Sequence, residues 1–320
     1  MTFRIGFHAS HELHAPSRLL HFVRLAERVG FREAMCSDHF HPWTESQGQS
    51  GFAWSWLGAA MQATRMNFGV VTAPGQRYHP AILAQAAGTL LEMFPNRLWI
   101  SAGSGEALNE SITGDAWPSK PDRNERLKES IQVMRQLWTG MTVNHDSLVR
   151  VREAKLYTRP SSPPQVYVAA LTETTARWAG TWADGLITTS CAREELKIKI
   201  NAFRESAGDK PVLVQSAMSF GLTESAAIES AAKNWPLFGI SLDQLADLPT
   251  PQAFQQHTHK PTDDEVKKTF RVSSSIQQHI DWIGSDLEAG ASRVYLHHLG
   301  PDMETFIETF GAVVLPKFDR

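Results

Sequence analysis

The sequence predicts an α/β chain folded as one closed (β/α)8 TIM barrel with loop insertions, a single domain over residues 1–320. Three observations predict it. Eight short, apolar, β-rich runs recur along the chain, and segments with helical spacing separate them. The length of 320 residues would allow two ordinary domains but is also within the range of one such barrel. Strand alternating with helix requires parallel strands joined by crossover helices, and eight such units favour a closed cylinder over the alternative, an open doubly wound sheet.

The strands are predicted at Arg4 to His8, Glu33 to Ser37, Asn67 to Thr72, Leu98 to Ala102, Gln165 to Ala170, Gly185 to Thr189, Pro211 to Phe220 and Arg293 to Leu299. Between the first two, Leu19, Phe22, Val23 and Ala26 recur at helical spacing, as do Leu127, Ile131, Met134, Leu137 and Trp138 after the fourth. Pro16 suits a first helical turn, Gly30 follows a helix ending near Val29, and Gly290 closes a helix that begins around Ser274. Two segments break the rhythm and are expected to be insertions carried on barrel loops. One covers about 140–164, with strand-like Ser147 to Val151 and a Pro-rich exit; the other covers about 238–263 and is rich in Pro, Gln and His.

Composition narrows the function. Apolar residues make up 42% of the chain and charged residues 20%, enough to bury a sizeable core. No run approaches 18 apolar residues, and the N-terminus has no charged-then-apolar leader, so a soluble, cytoplasmic protein without a membrane span is expected. Lys plus Arg number 31 against 34 Asp plus Glu, which offers no basic excess for nucleic acid. Cys36 and Cys191 cannot make a disulfide framework or a multi-cysteine zinc site. Ten tryptophans exceed what a core of this size needs and point to a ligand cavity with aromatic walls.

In such a barrel the chemistry sits at the C-terminal ends of the strands. The second strand ends in Ser37-Asp38-His39-Phe40-His41-Pro42-Trp43, and the fourth runs through Gly103-Ser104-Gly105-Glu106 to Asn109 and Glu110. The eighth ends in His297-His298. An adjacent carboxylate and imidazole set each other's protonation, which suits proton transfer near neutral pH. A zinc site at Asp38, His39 and His41 is disfavoured, because the spacing matches no usual motif and neighbours on a strand point to opposite sides. Ser104-Gly105 offers backbone N–H groups ahead of a helix, without full dinucleotide spacing. His297, His298 and Tyr295 can equally be barrel-wall residues.

Ser37-Asp38-His39-Phe40 with Pro42-Trp43, Phe52 to Trp56, Gly69 to Pro74 with Arg77-Tyr78, Pro95-Asn96-Arg97 and Gly103 to Glu110 together resemble the bacterial luciferase-like flavin superfamily, and within it the branch of F420-dependent glucose-6-phosphate dehydrogenases. The resemblance implies a barrel that binds a flavin-type ring at its mouth, acts as an oxidoreductase on a small molecule and forms homodimers. It implies catalytic roles for His39, Glu106 and Trp43. Cofactor contacts are implied at Asp38, Trp43, Ser104, Gly105, Asn109, Ala169, Ala170, Leu171, Thr172 and Thr189. A non-proline cis peptide behind the ring is implied at Val70–Val71, a bond that costs about 3 kcal/mol.

Two departures qualify the resemblance. The phosphate-binding lysines of the branch are missing, since the corresponding segments read Ser190-Cys191-Ala192-Arg193 and Ser241 to Asp247; glucose 6-phosphate is therefore not the expected substrate. Where the branch has a glycine pair beside the cofactor phosphate, this chain has Ala169-Ala170-Leu171-Thr172. That substitution favours FMN, with coenzyme F420 as the alternative. The expected enzyme is thus an FMN-dependent monooxygenase or reductase, or else an F420-dependent dehydrogenase; a non-catalytic flavin-binding barrel is the reading from another class.

Overall fold

The computed structural model describes residues 4–318. Eleven strands lie in order: β1 (Arg4–Ala9), β2 (Glu33–Ser37), β3 (Asn67–Thr72), β4 (Leu98–Ala102), β5 (Val143–Asp146), β6 (Arg150–Ala154), β7 (Val166–Ala169), β8 (Gly185–Thr189), β9 (Val212–Phe220), β10 (Arg271–Ser273) and β11 (Arg293–His298). Eight of them form a parallel cylinder in the order β9-β11-β1-β2-β3-β4-β7-β8, which the β8–β9 pairing closes. The (β/α)8 barrel predicted from the sequence is the observed fold. Covered by helices outside and by side chains inside, its strands are almost wholly buried, which is why they read as apolar runs.

Helix ends follow local chemistry. The helix Pro16–Arg28 opens on its proline and is followed by Gly30 at φ +117°; Ser275 caps the helix Ile276–Glu288, and Gly290 follows at φ +115°. The first insertion holds the antiparallel β5–β6 hairpin rather than one strand over Ser147 to Val151, because Ser147 N–H bonds back to Val149 O and makes that stretch the turn. The second carries two short helices, Leu242–Asp247 and Pro251–His257, capped by Ser241 and Thr250. Phe254 from this pair is fully buried against Trp43, with rings 5.3 Å apart, so the insertion is fastened to the barrel mouth. At three residues, β10 is too short to show in the sequence; it extends the sheet beside β9.

Three aromatic rings plug the far end of the cylinder. Trp99 lies 5.3 Å from Tyr167 and 5.4 Å from Tyr295. Room for them comes from Gly6, Gly69 and Gly185, where any side chain would collide with Tyr295, Trp99 and Tyr167 respectively. The Tyr295 hydroxyl donates to Glu33 at 2.7 Å, and Arg4 and Arg293 neutralise that buried carboxylate.

The expected cis peptide is corrected. No cis bond occurs among the described residues, and Val70–Val71 is trans. Both valines sit in unbroken ladders, Val70 opposite Cys36 and Ile100 and Val71 opposite Ser37 and Ser101, and Val71 O accepts from Asp38 N at 3.0 Å. This pairing uses ordinary extended backbone, so nothing here compels the costly isomer. No helix among the described residues is long and apolar enough to cross a membrane.

Candidate active site

A cavity of about 620 Å³ opens at the C-terminal ends of the barrel strands. Its size is that of a small-molecule or cofactor site. Strand alternation decides what reaches it: His8, Ser37, Val71, Ala169 and Gln215 point inward and line the wall. Of the residues singled out in the sequence, His39, Trp43, Ser104, Gly105, Glu106, Ala170, Leu171, Thr172 and Thr189 line it as well. Asp38, Val70 and Asn109 do not. Val70 is fully buried on the outer face of β3, one position out of phase with Val71.

Asp38 lies behind the cavity. Its carboxylate accepts from Thr72 Oγ1 at 2.8 Å, Tyr78 Oη at 3.1 Å and Trp54 Nε1 at 3.2 Å. Burial and the Asp38 charge push the Tyr78 hydroxyl up, so it remains a donor. Arg77 donates to Asp38 O at 2.7 Å, while its own N–H donates to Glu110 at 2.6 Å. Asn109 Oδ1 accepts from the backbone N–H groups of Phe40 and His41 at 2.8 and 3.3 Å. Asp38 and Asn109 therefore hold the loop that carries His39 and Trp43. Gly105, at φ +83°, lets the turn after β4 pass over Glu110, where a Cβ would meet Glu110 Cγ at 2.9 Å.

Glu12 stands beside His39 and went unnoticed in the sequence. It is 1% exposed, accepts from Ser10 and Ser37 hydroxyls at 2.7 and 2.8 Å, and places Oε1 3.7 Å from His39 Nδ1. Burial works to raise its pKa, but the His39 imidazole and the two hydroxyls outweigh it and bring the carboxyl to about 2. Glu12 is a carboxylate throughout the physiological range. The His39 and Trp43 rings are 5.0 Å apart, and Trp43 N–H donates to Gln47, which in turn donates to Asn234 O. Applying the strand-end rule to β1, which leads directly into Ser10-His11-Glu12, would have found this carboxylate.

The opposite side of the mouth is built differently. Thr172 caps the helix Glu173–Gly180 and shares a hydrogen bond with Thr175, giving two hydroxyls at the helix N-terminus. Trp117, Lys120 and Arg123 complete this side. Arg123 lies over the Trp117 ring at 4.4 Å, and both residues contact Asp247 of the second insertion. Lys120 and Arg123 are the cavity's only lining cations among the described residues, whereas Glu12, Glu106, Asp243 and Asp247 also line it. Arg193 pairs with Glu288 and does not line the cavity.

The residues fit a flavin-type group. Val71, Ala169 and Ala170 offer a flat apolar wall, Trp43 an aromatic one, and the two threonines with Lys120 offer donors for a phosphate-bearing tail. His39 Nδ1 is buried and makes no hydrogen bond within 3.5 Å, with Glu12 Oε1 facing it at 3.7 Å. No cluster of three or more potential metal ligands occurs among the described residues.

Comparison with known proteins agrees. An F420-dependent glucose-6-phosphate dehydrogenase of Intrasporangium calvum is 33% identical over 98% of this chain and 98% of its own length. Its counterpart from Mycobacterium tuberculosis is 32% identical over 99% and 98%. The structure of an F420-dependent secondary alcohol dehydrogenase in complex with an F420–acetone adduct superposes with a TM-score of 0.91 at 32% identity, covering the whole of both chains. The profile of the luciferase-like monooxygenase family matches residues 1–293. The chain belongs to that family and is an oxidoreductase of it.

Proposed function

We propose that this protein is an F420-dependent dehydrogenase that moves hydride between the deazaflavin and a small alcohol or its carbonyl product. The observation that carries the proposal is the Glu12–His39–Trp43 corner beside the Val71 wall, in a chain whose full-length relatives at 31–33% identity are F420-dependent dehydrogenases. This reading replaces the FMN preference drawn from Leu171 and Thr172. Leu171 is 37% exposed at the cavity rim, and Thr172 turns its hydroxyl to the helix N-terminus, so the two side chains leave room for a phosphate there.

Val71, Ala169 and Ala170 would hold one face of the ring, and Thr172, Thr175 and Lys120 the tail. When bound, the deazaflavin supplies a carbon centre that accepts or returns a hydride. His39 takes the proton of the substrate hydroxyl at Nε2, because Nδ1 faces Glu12; the ionised Glu12 then stabilises the imidazolium. Glu106, at the N-terminus of the short helix Ala107–Glu110, is the second group in reach of the cavity for proton exchange with solvent. Trp43 and the second insertion exclude water from this corner. With acidic Asp243 and Asp247 on the rim, a dianionic sugar phosphate is a poor substrate.

Titration of the protein with F420 and with FMN, followed by quenching of the cavity tryptophans, tests the cofactor. Anaerobic oxidation of a secondary alcohol, followed by the loss of oxidised F420 absorbance, tests the reaction. Tighter binding of FMN together with oxygen consumption would overturn the proposal in favour of a monooxygenase.

A further inference from the structure

Three side chains on adjacent strands of one wall play no part in the chemistry just described. Gln215 on β9 and His8 on β1 line the cavity, and His297 on β11 stands between them. The His8 and His297 rings stack at 4.3 Å with an interplanar angle of 16°, and Trp235 packs edge-on against His297 at 4.8 Å. Gln215 Nε2 donates to His297 Nδ1 at 3.2 Å, which fixes the amide and leaves the His297 proton on Nε2. Gln215 Oε1 accepts no hydrogen bond among the described residues, and His8 Nδ1 has no partner although the residue is only 3% exposed. A buried polar group left unpaired, such as His8 Nδ1, costs free energy and marks a place where a ligand supplies the missing partner; the half-buried Gln215 lines the same cavity.

The wall is also uncharged. Burial lowers both imidazoles, His297 to about 4 and His8 well below its ordinary value with His297 adding to the effect, so both are neutral near pH 7. The Glu12 carboxylate acts on both imidazoles, while Lys120 and Arg123 belong to the helix Lys120–Trp138 on the other side of the mouth. An anionic substituent meets no cation here. An aliphatic one leaves the amide and imidazole unsatisfied. A hydroxyl, which both donates and accepts, suits both.

We infer that Gln215 and His8, positioned by His297, form a neutral hydrogen-bonding subsite for a second oxygen of the substrate, and that the substrate is an uncharged vicinal diol or hydroxyketone, such as an unphosphorylated polyol. The inference rests on the hydride-transfer reading and sharpens its substrate class. Sites built to hydrogen-bond a hydroxyl discriminate strongly against analogues that lack it.

The test uses the F420-loaded protein under anaerobic conditions. Propane-1,2-diol is expected to exceed propan-2-ol in kcat/KM by at least about tenfold, and glycerol to exceed glycerol 3-phosphate by a similar factor. Gln215→Leu should bring the diol preference close to one, and Gln215→Asn should restore part of it. Calorimetry should show the same loss of diol affinity in Gln215→Leu, independently of turnover. Equal turnover of diol and monoalcohol by the native protein, or a preference unmoved by Gln215→Leu, would overturn the subsite and leave the dehydrogenase reading intact. A protein that binds F420 yet oxidises no alcohol and binds no diol would overturn both.

Discussion

Glu12 Oε1 faces His39 Nδ1 at 3.7 Å across the barrel mouth, a buried carboxylate beside a histidine that no other group among the described residues engages at that nitrogen. Their separation is beyond hydrogen-bond length but short enough for the charge of one to govern the proton of the other. Glu12→Gln keeps the Ser10 and Ser37 contacts on one oxygen and removes only the charge. The turnover rate is expected to fall on the order of 100-fold with F420 affinity unchanged, as read by steady-state kinetics and fluorescence titration. Because the folded carboxyl is held at about 2, below its ordinary value of 4.5, its stabilising effect is complete above pH 4.5 and is lost as pH falls toward 2. Glu12→Gln should flatten that part of an acid-unfolding curve.

His39→Ala and Glu106→Gln should each slow turnover, by roughly 100- to 10,000-fold for the histidine, while the cofactor still binds within a few-fold of native affinity. A rate untouched in both variants would remove these residues from proton transfer. A matched loss of cofactor binding would make them binding residues instead.

Arg77, with a side chain 6% exposed, stands beside both Asp38 and Glu110. Arg77→Met should destabilise the fold by about 3–5 kcal/mol in chemical denaturation, since it leaves the buried Asp38 carboxylate without its paired cation. Glu110 itself is raised to about 7 by burial, against the pull of Arg77. A raised acid means that the folded state holds the proton more tightly, so its contribution is full below pH 4.5 and fades as pH rises through 7. Glu110→Gln should therefore lessen any loss of stability between pH 5 and 8.

His298 presents the opposite sign. Stacked on Phe306 at 4.2 Å and 4°, it is lowered by burial to about 3, so its favourable contribution is present above pH 6.5 and lost as pH falls toward 3. Replacing it with the non-titrating His298→Gln should reduce the difference in stability between pH 7 and pH 4. A thermal melt series over that range measures it.

All eight barrel strands could be read from the sequence because a strand buried on both faces leaves a run of apolar residues that needs no partner to be noticed. The strand-end loops at Asp38 to Trp43 and Gly103 to Asn109 were legible for a related reason, since polar groups directly after such runs stand out. Glu12 was missed because it follows β1 after Ser10-His11 without any motif to mark it. Gln215 was missed because it sits in the middle of β9, away from the strand end where functional groups were sought. His297 stood out at the end of the last strand, but only its stacking on His8 distinguishes a shared wall from two isolated histidines. The phase of β3 also lay beyond spacing alone: Val71 faces the cavity and Val70 the helices, so one member of the expected pair serves packing only. The lid formed by Trp117, Asp247 and Phe254 joins three distant stretches of chain and exists only after folding.

With Trp99, Tyr167 and Tyr295 interlocked across the base, the cylinder is a cup with one doorway. A substrate reaching Gln215 would pass the same rim where the proposed coenzyme would lie. On the proposed reading, exchange of the two guests would be sequential, and the loop carrying Trp117 and the helix ending at Asp247, which meet at that rim, are where a gatekeeper would set the pace of turnover.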